Sequence, residues 1–192
     1  MEEIILIGGG GHCRSIIDVL ELSNKYKILG ILDNKISYGD SVLGYKVLGK
    51  IDNIKNYSKS CNKAVISIGQ IYSSSPKIEI FNILKSAGFE LPTIISPRAH
   101  ISRFAQIGEG TVIFHDVIVN SNAILGKNCI INTKAIIEHD ATIGDHCHIS
   151  TSAIINGGVS VGDRTFVGSG SVTKEYANIP SDSFIKAGSV FK

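Results

Sequence analysis

The chain has 192 residues, enough for one or two compact domains, and 43% of them are hydrophobic, an ordinary fraction for a globular protein. Its 19 basic and 17 acidic residues give a formal charge of +2 without a long basic run, so charge indicates neither a nucleic acid nor a membrane as partner. The start is acidic, unlike a signal peptide, and no apolar stretch is long enough to span a bilayer. Four scattered cysteines suit a reducing compartment, so a cytoplasmic protein is expected.

Residues 1–93 are predicted to form a small α/β domain. Short apolar strands are expected at residues 4–7, 27–32 and 63–68. Helices are expected at residues 13–22 and 75–87, the second beginning at Ser75-Pro76 with the proline at its first position. A strand, glycine turn, helix and strand in this order predict a βαβ unit with a parallel sheet, as in Rossmann-like domains.

A run of four glycines, Gly8 to Gly11, stands between the first strand and the first helix. Backbone N–H groups without side chains at the start of a helix are what a phosphate needs. Asp33 ends the second strand, where a carboxylate can accept hydrogen bonds from a ribose or a base. Cys13 replaces the last glycine of a dinucleotide fingerprint, which is therefore incomplete. A nucleotide sugar is preferred to NAD, because nothing downstream resembles a hydride-transfer domain. A tight turn without a ligand is the alternative.

From Ile95 onward, an aliphatic residue recurs at every sixth position, interrupted only by Thr173, and the residue four places after each of them is small. This period fits neither an α-helix of 3.6 residues per turn nor a flat strand of period two. A solenoid with three hexads in each triangular coil accommodates it. Residues 94–192 are therefore predicted to form a left-handed parallel β-helix of hexapeptide repeats, with about five coils.

Two features of the repeat carry structural expectations. Glycines directly after the aliphatic position, for example Gly108 and Gly126, are expected to supply turns with unusual backbone angles. Cys129 and Cys147 are one coil apart in the small inward column, so we expect stacked, reduced packing residues. A disulfide or metal pair is the alternative.

Three histidines cluster at His139, His146 and His148. The hexad register places Cys147 inside, so His146 and His148 point outward and His139 lies at a corner, where all three can meet solvent or a ligand. His139 and His148 leave different regions of one prism, so their cooperation would require the cleft between two prisms. A trimer with composite active sites is therefore the hypothesis. A zinc site from the three histidines is an alternative that lacks an evident fourth ligand.

The segments at residues 131–140 and 143–150 resemble the sialic acid and bacillosamine acetyltransferases of the NeuD/PglD type, and the resemblance extends over nearly the whole chain. It implies a trimeric enzyme that uses acetyl-CoA and needs no metal. His139 matches the family's general base and Asp140 its supporting acid. The acetyl-CoA-binding residues implied are Asn132, His148, Gly157, Gly168 and Ser169. The substrate-binding residues implied are Gly8, Gly10, Gly11, His12, Asp33 and Gly69.

Histidine suits the chemistry, because a protonated amine cannot attack a thioester and a base that titrates near neutral pH can remove the proton. The leading prediction is N-acetylation of a nucleotide-linked amino sugar, such as a 4-amino-4,6-dideoxy sugar, for a bacterial surface glycan such as the O-antigen of lipopolysaccharide. O-acetylation of a sialic acid is the first alternative. A non-catalytic nucleotide-sugar sensor or scaffold is the alternative from another class.

Overall fold

The computed structural model describes residues 1–58 and 61–192 and divides into two compact units. The first unit comprises Met1–Gly69 and Ser75–Ile94, and the second comprises Gln70–Ser74 and Ile95–Lys192. The segment Gln70–Ser74, which the sequence assigns to the α/β domain, is thus part of the second unit. The predicted fold class, an α/β domain followed by a left-handed parallel β-helix, is confirmed. Within the described ranges, no helix has the length and apolar character needed to cross a membrane.

In its described residues, the first unit contains one sheet, two α-helices and a short 3-10 helix. Its strands are β1 (Glu2–Ile7), β2 (Tyr26–Leu32), β3 (Ser41–Val42), β4 (Tyr45–Gly49) and β5 (Ala64–Ile66). Its helices are α1 (Gly11–Ser23) and α2 (Ser75–Ser86), and the 3-10 helix is Ile51–Asn56. The sheet order is β3-β4-β2-β1-β5, and β1 lies parallel to both β2 and β5. The expected βαβ unit is therefore present.

The hairpin of β3 and β4 and the 3-10 helix were missing from the sequence prediction. β3 pairs antiparallel with β4 across a two-residue turn at Leu43 and Gly44, whose φ angles are 49° and 87°. Leucine is rarely found in the left-handed region, so the sequence gives little sign of this turn.

The second unit is built from strands of two residues. In chain order they are β6 (Ile94–Ile95), β7 (His100–Ile101), β8 (Gln106–Ile107), β9 (Val112–Ile113), β10 (Ile118–Val119), β11 (Ile124–Leu125), β12 (Ile130–Ile131), β13 (Ile136–Ile137), β14 (Thr142–Ile143), β15 (His148–Ile149), β16 (Ile154–Ile155), β17 (Ser160–Val161), β18 (Phe166–Val167), β19 (Val172–Thr173), β20 (Asn178–Ile179), β21 (Phe184–Ile185) and β22 (Val190–Phe191).

These strands form three parallel sheets, the faces of a prism. The first face contains β6, β9, β12, β15, β18 and β21, the second contains β7, β10, β13, β16, β19 and β22, and the third contains β8, β11, β14, β17 and β20. We call the bend from the first to the second face the first corner, that from the second to the third face the second corner, and that from the third to the first face the third corner. The aliphatic and small columns fill the prism, as the hexad rule predicts.

The corners correct one expectation about glycine. From Gly110 to Gly188, every sixth residue is left-handed, with φ between 53° and 69°, and only four of these positions are glycine. The glycines that follow the aliphatic position, among them Gly108 and Gly126, lie outside that region, so the expectation of unusual angles was wrong. A Cβ on Gly108 would lie 2.5 Å from the backbone of Gly126. Close stacking of successive coils explains these glycines instead.

All four cysteines are free and buried, which agrees with the packing prediction for Cys129 and Cys147. The side chains of Cys129 and Cys147 are fully buried in the prism. Hydrogen bonding with Cys129, followed by burial, raises the pKa of the Cys147 thiol far above its ordinary value. The Cys147 thiol is therefore a packing group that stays protonated at neutral pH.

The second and third faces differ in their outward side chains. After His100 on its first strand, the second face presents an apolar column: Ile118, Ile136, Ile154, Val172 and Val190. The third face presents Gln106, Ile124, Thr142, Ser160 and Asn178. Val190 is 66% exposed and Ile118 is 36% exposed, so the second face leaves large apolar side chains open to solvent.

Candidate active site

His139 lies on the second corner, between β13 and β14, and its side chain is 59% exposed. Its Nδ1 lies 2.8 Å from Oδ2 of Asp140. A carboxylate only accepts hydrogen bonds, so Nδ1 carries the proton and Nε2 of the neutral ring keeps its lone pair. Asp140 occupies the left-handed position with φ 60°, and this bend brings two adjacent side chains together. The bend at this corner therefore allows Asp140 to contact His139.

The other oxygen of Asp140 is held by the preceding coil. Asn122 donates from Nδ2 to Oδ1 of Asp140 at 2.7 Å. The hydrogen bond from Asn122, and after it the bond from His139, holds the pKa of the Asp140 carboxyl below its ordinary value. Asp140 therefore remains an anion at neutral pH with both oxygens engaged. The sequence prediction missed Asn122, although it stands one coil before Asp140 in the same column.

Gly157, one coil after His139, lies directly against the imidazole. A Cβ at Gly157 would lie 2.8 Å from both Cε1 and Nε2 of His139. The neighbouring Gly158 donates its N–H to the backbone oxygen of His139 at 3.0 Å, and a Cβ there would lie 2.3 Å from the ring of Tyr176. A stretch of bare backbone thus separates the imidazole from an exposed phenol ring. The sequence prediction included Gly157 and missed Tyr176.

His148 on the first face corrects a second expectation. His148 is only 6% exposed, so the expectation that it can meet solvent was wrong, and a contact with a ligand stays a prediction. The backbone oxygen of Gln70 accepts a hydrogen bond from its Nδ1, and Phe166 packs edge-on at 5.2 Å between ring centroids. Nε2 of His148 faces Nδ2 of Asn132 at 3.4 Å. His148 points out of the prism, as predicted, but the Gln70–Ser74 segment covers it.

The Gln70–Ser74 segment contacts the β-helix through Gln70 and Tyr72. Nε2 of Gln70 donates to the backbone oxygen of His146 at 2.9 Å. Tyr72 stacks on Phe184 with ring centroids 5.7 Å apart. Because Gln70 accepts from His148 Nδ1, the neutral ring presents Nε2 as an acceptor toward Asn132. Gln70 is a further residue that the sequence prediction missed, since its partners are more than seventy positions away.

The remaining predicted acetyl-CoA residues lie on the first corner with Asn132. The hydroxyls of Ser169 and Ser150 lie 2.9 Å apart. Gly168 is buried, and a Cβ there would lie 2.4 Å from the backbone of Ala187. The topology therefore divides the predicted site into two groups. Asn132, Gly168 and Ser169 border one edge of the second face, whereas His139 and Gly157 border the other edge.

The glycine turn in the first unit lies between β1 and α1, as the sequence predicts. Asp33 accepts hydrogen bonds from the backbone in and near this turn. Gly8 has φ 107°, and the hydroxyl of Ser67 donates to its backbone oxygen at 2.6 Å. Gly10 and Gly11 are exposed, with no atoms where a Cβ would stand. No side chain caps the start of α1, and the N–H of Cys13 donates to the backbone oxygen of Gly10 at 3.1 Å.

Asp33 accepts hydrogen bonds from three backbone N–H groups. Gly9 donates to Oδ2 at 2.7 Å, and Lys35 and Ile36 donate to Oδ1 at 2.7 and 2.9 Å. Partial burial acts to raise the pKa of Asp33, but these three donors together outweigh it and lower the pKa. Asp33 thus holds the turn in shape. The exposed Gly69 faces His12, whose Cβ is 3.7 Å from where a Cβ of Gly69 would stand, so the turn and the end of the sheet meet.

The zinc alternative finds no support in the described part of the chain. No group of three His, Cys, Asp or Glu side chains is arranged to hold a metal ion there. His139 lies on the second corner and His148 on the first face. His146 occupies the left-handed position of the third corner, where Nδ1 contacts Nδ2 of Asn128 at 2.9 Å.

Comparisons with known proteins agree with this architecture. A model of the PglD N-terminal domain matches residues 3–75, and a model of bacterial transferase hexapeptide repeats, six repeats long, matches residues 140–175. Among curated protein sequences, none matches the chain.

Solved structures are similar over nearly the whole chain. The acetyltransferase domain of PglB from Neisseria gonorrhoeae FA1090, in complex with acetyl coenzyme A, is 26% identical, with a TM-score of 0.91, over 97% of this chain and 89% of that one. PerB from Caulobacter crescentus, in complex with CoA and GDP-perosamine, is 28% identical, with a TM-score of 0.93, over 100% of this chain and 89% of that one. WeeI from Acinetobacter baumannii AYE, at 19% identity and a TM-score of 0.78, shares the fold over 99% of this chain and 96% of that one.

The prism of hexads with a histidine at its bare corner defines a bacterial hexapeptide-repeat transferase of the acetyltransferase class. The α/β unit that precedes the prism in the chain narrows this class, because it matches the model of the PglD N-terminal domain. Together with the similar structures, this match supports the predicted resemblance to the NeuD/PglD-type sugar acetyltransferases.

Proposed function

We propose that the protein transfers the acetyl group of acetyl-CoA to the amine of a nucleotide-linked amino sugar, with His139 as the general base. The observation that carries this proposal is the His139 ring itself. Asp140 holds its Nδ1, and the ring edge with Nε2 lies over the bare backbone of Gly157. The ligands of the similar structures, acetyl coenzyme A with PglB and CoA with GDP-perosamine with PerB, support this substrate class.

In the proposed reaction, the sugar nitrogen attacks the thioester carbon while its proton moves to Nε2 of His139. The new C–N bond forms, the C–S bond breaks, and the thiolate of coenzyme A leaves. The imidazolium then returns its proton to the sulfur. Asp140 stabilises the imidazolium through Nδ1, and the N–H of Gly157 is the proposed donor to the oxygen that becomes negative.

The N-terminal turn is the proposed site for the nucleotide. Exposed Gly10 and Gly11 at the uncapped start of α1 leave backbone N–H groups open to a phosphate. Asp33 shapes this turn and still has lone pairs for a ribose or base. A 4-amino-4,6-dideoxy sugar, as in a surface glycan such as the O-antigen, belongs to the same proposal, as does a cytoplasmic location where both substrates are made.

A homotrimer with sites between subunits completes the proposal. The apolar column of the second face would be desolvated if three copies turned this face toward a common axis. That arrangement brings the second corner of one copy next to the first corner of its neighbour. His139 and Gly157 would then share a groove with Asn132, Gly168 and Ser169 of another copy, and acetyl-CoA would lie along that groove.

The test is the release of coenzyme A thiol when the protein is mixed with acetyl-CoA and an acceptor. GDP- and UDP-linked 4-amino-4,6-dideoxy sugars serve as amine acceptors, and sialic acid serves as the hydroxyl acceptor. His139→Ala should lower kcat by about 100-fold or more while acetyl-CoA binding persists. The matched control is His146→Asn, which keeps a residue suited to the left-handed third corner and should leave kcat unchanged.

Three outcomes would contradict the proposal in different ways. An unchanged rate in His139→Ala would remove the base assignment. Turnover with sialic acid and none with amino sugars would assign O-acetylation. Tight nucleotide-sugar binding without any thiol release would favour the scaffold.

A further inference from the structure

Asn122 stands out among the residues near His139, because it contacts the base only through Asp140. Its Nδ2 lies 2.7 Å from Oδ1 of Asp140, while Oδ2 of the same carboxylate lies 2.8 Å from Nδ1 of His139. The carboxylate cannot donate, so the atom of Asn122 that faces it must be the amide nitrogen. The three side chains therefore form one directed chain of hydrogen bonds.

We infer that Asn122 is a positioning residue of the catalytic base, which holds the Asp140 carboxylate so that its second oxygen remains directed at His139. This inference rests on the proposed function of His139 and names a residue that acts through Asp140.

The backbone explains why an asparagine can do this. Asn122 and Asp140 both occupy left-handed corner positions, with φ 62° and 60°, one coil apart. Their side chains therefore leave the corner in the same direction and at the coil spacing. Asn and Asp are the residues other than glycine that best tolerate this conformation.

Exposure explains why the carboxylate needs a second contact. The side chain of Asp140 is 54% exposed, so water competes for both of its oxygens. A free carboxylate would rotate about χ1 and χ2 and would spend part of its time away from His139. One fixed donor on Oδ1 restricts that rotation, which is the kind of preorganisation that catalytic groups need. The lowered pKa of Asp140, caused first by Asn122 and then by His139, agrees with this contact.

The charged side chains around Asp140 have other contacts, so Asn122 is the main group that fixes the Asp140 carboxylate. On the same corner, Glu138 is engaged by Nδ2 of Asn120, which donates to its Oε2 at 2.7 Å. In the column of His139, Arg103 lies two coils before and Glu175 two coils after, and Arg103 packs over the ring of Phe104 at 4.5 Å. Tyr176, whose ring lies against Gly158, is a further titratable side chain on this corner.

The first experiment follows the Asp140 carboxyl directly and needs no substrate. The carboxyl 13C signal is titrated in the wild type, in Asn122→Gly and in Asp182→Gly. Glycine at position 122 removes the amide without straining the left-handed backbone. Asp182→Gly is the matched control, because Asp182 also lies at a left-handed position and binds the preceding coil through Arg164. The pKa of Asp140 should rise toward its ordinary value in Asn122→Gly alone. An unchanged titration would overturn the inference.

The second experiment is a double-mutant cycle with acetyl-CoA and GDP-perosamine. In the otherwise wild-type protein, Asn122→Gly should lower kcat about 3- to 10-fold and change KM for acetyl-CoA by less than about 2-fold. The same substitution should have no effect in an Asp140→Gly background, because its partner is already absent. An equal loss in both backgrounds would show that Asn122 merely ties two coils together. A wild type without turnover on GDP-perosamine or on any of the other GDP- and UDP-linked amino sugars would refute the proposed function, whereas the carboxyl titration would still test the Asn122 contact.

Discussion

The second and third corners of the β-helix share a backbone and differ in what they can do. Each carries a histidine and an asparagine from the preceding coil, His139 with Asn122 and His146 with Asn128. At the third corner, the histidine itself occupies the left-handed position and contacts the asparagine directly. At the second corner, Asp140 takes that position, so the histidine stands one residue earlier and gains a carboxylate partner.

The next coil enlarges this difference. After His146 the third corner carries Asp163 and Arg164, whereas after His139 the second corner carries Gly157 and Gly158. Because the coil geometry is the same at both corners, the difference lies in the side chains. The two glycines leave space beside His139, whereas the side chains of Asp163 and Arg164 occupy the equivalent positions beside His146. The faces differ as well, since the second face presents an apolar column and the third face is mostly polar.

The largest expected effect comes from the faces. Ile154→Glu places a charge in the apolar column of the second face, and Ser160→Glu places the same charge on the next strand, on the third face. If the second face is the subunit interface, burying an unpaired carboxylate there should leave monomers and lower activity at least about 100-fold. Ser160→Glu should stay trimeric and fully active. Light scattering after gel filtration measures the mass, and equal masses for both variants would place the interface elsewhere.

A smaller effect on activity is expected from a substitution at Gly157 on the second corner. Gly157→Ala adds one methyl group where the imidazole edge lies, 2.8 Å from Nε2 of His139. The exposed ring can swing away, so the melting temperature should change little, while kcat should fall about 10- to 100-fold because the base is displaced. Ser121→Ala, one coil before His139 in the same column, is the control and should keep kcat. A fully active Gly157→Ala would mean that the ring position is not critical.

Much of this structure follows from one repeating pattern. The hexad rule predicts the interior columns, the buried cysteines and the outward direction of His139, because each hexad imposes the same backbone on the next. The eighteen-residue coil could also have indicated Asn122 from Asp140 and Tyr176 from Gly158, had the column been followed through the corner positions.

Other features have no such local signal. His148 is covered by the Gln70–Ser74 segment, whose position depends on contacts between residues more than seventy places apart. The role of Asp33 as an internal acceptor likewise depends on the exact path of residues 33–36. Patterns in the sequence predict which residues are outward, and only the packed structure says which of them are then covered.

The proposed site lies between the second corner of one subunit and the first corner of the next. Complementation between two impaired variants tests this arrangement. The two variants are His139→Ala and Asn132→Ala, and each is expected to be impaired alone. They are mixed in equal amounts, unfolded together and refolded. Thiol release from acetyl-CoA with an amino-sugar acceptor is then measured. Random assembly of trimers should restore about a quarter of the sites, and so about a quarter of wild-type activity, because each restored site takes one intact corner from each variant. Activity no higher than that of the two variants refolded separately would mean that each site lies within one subunit and would contradict this account.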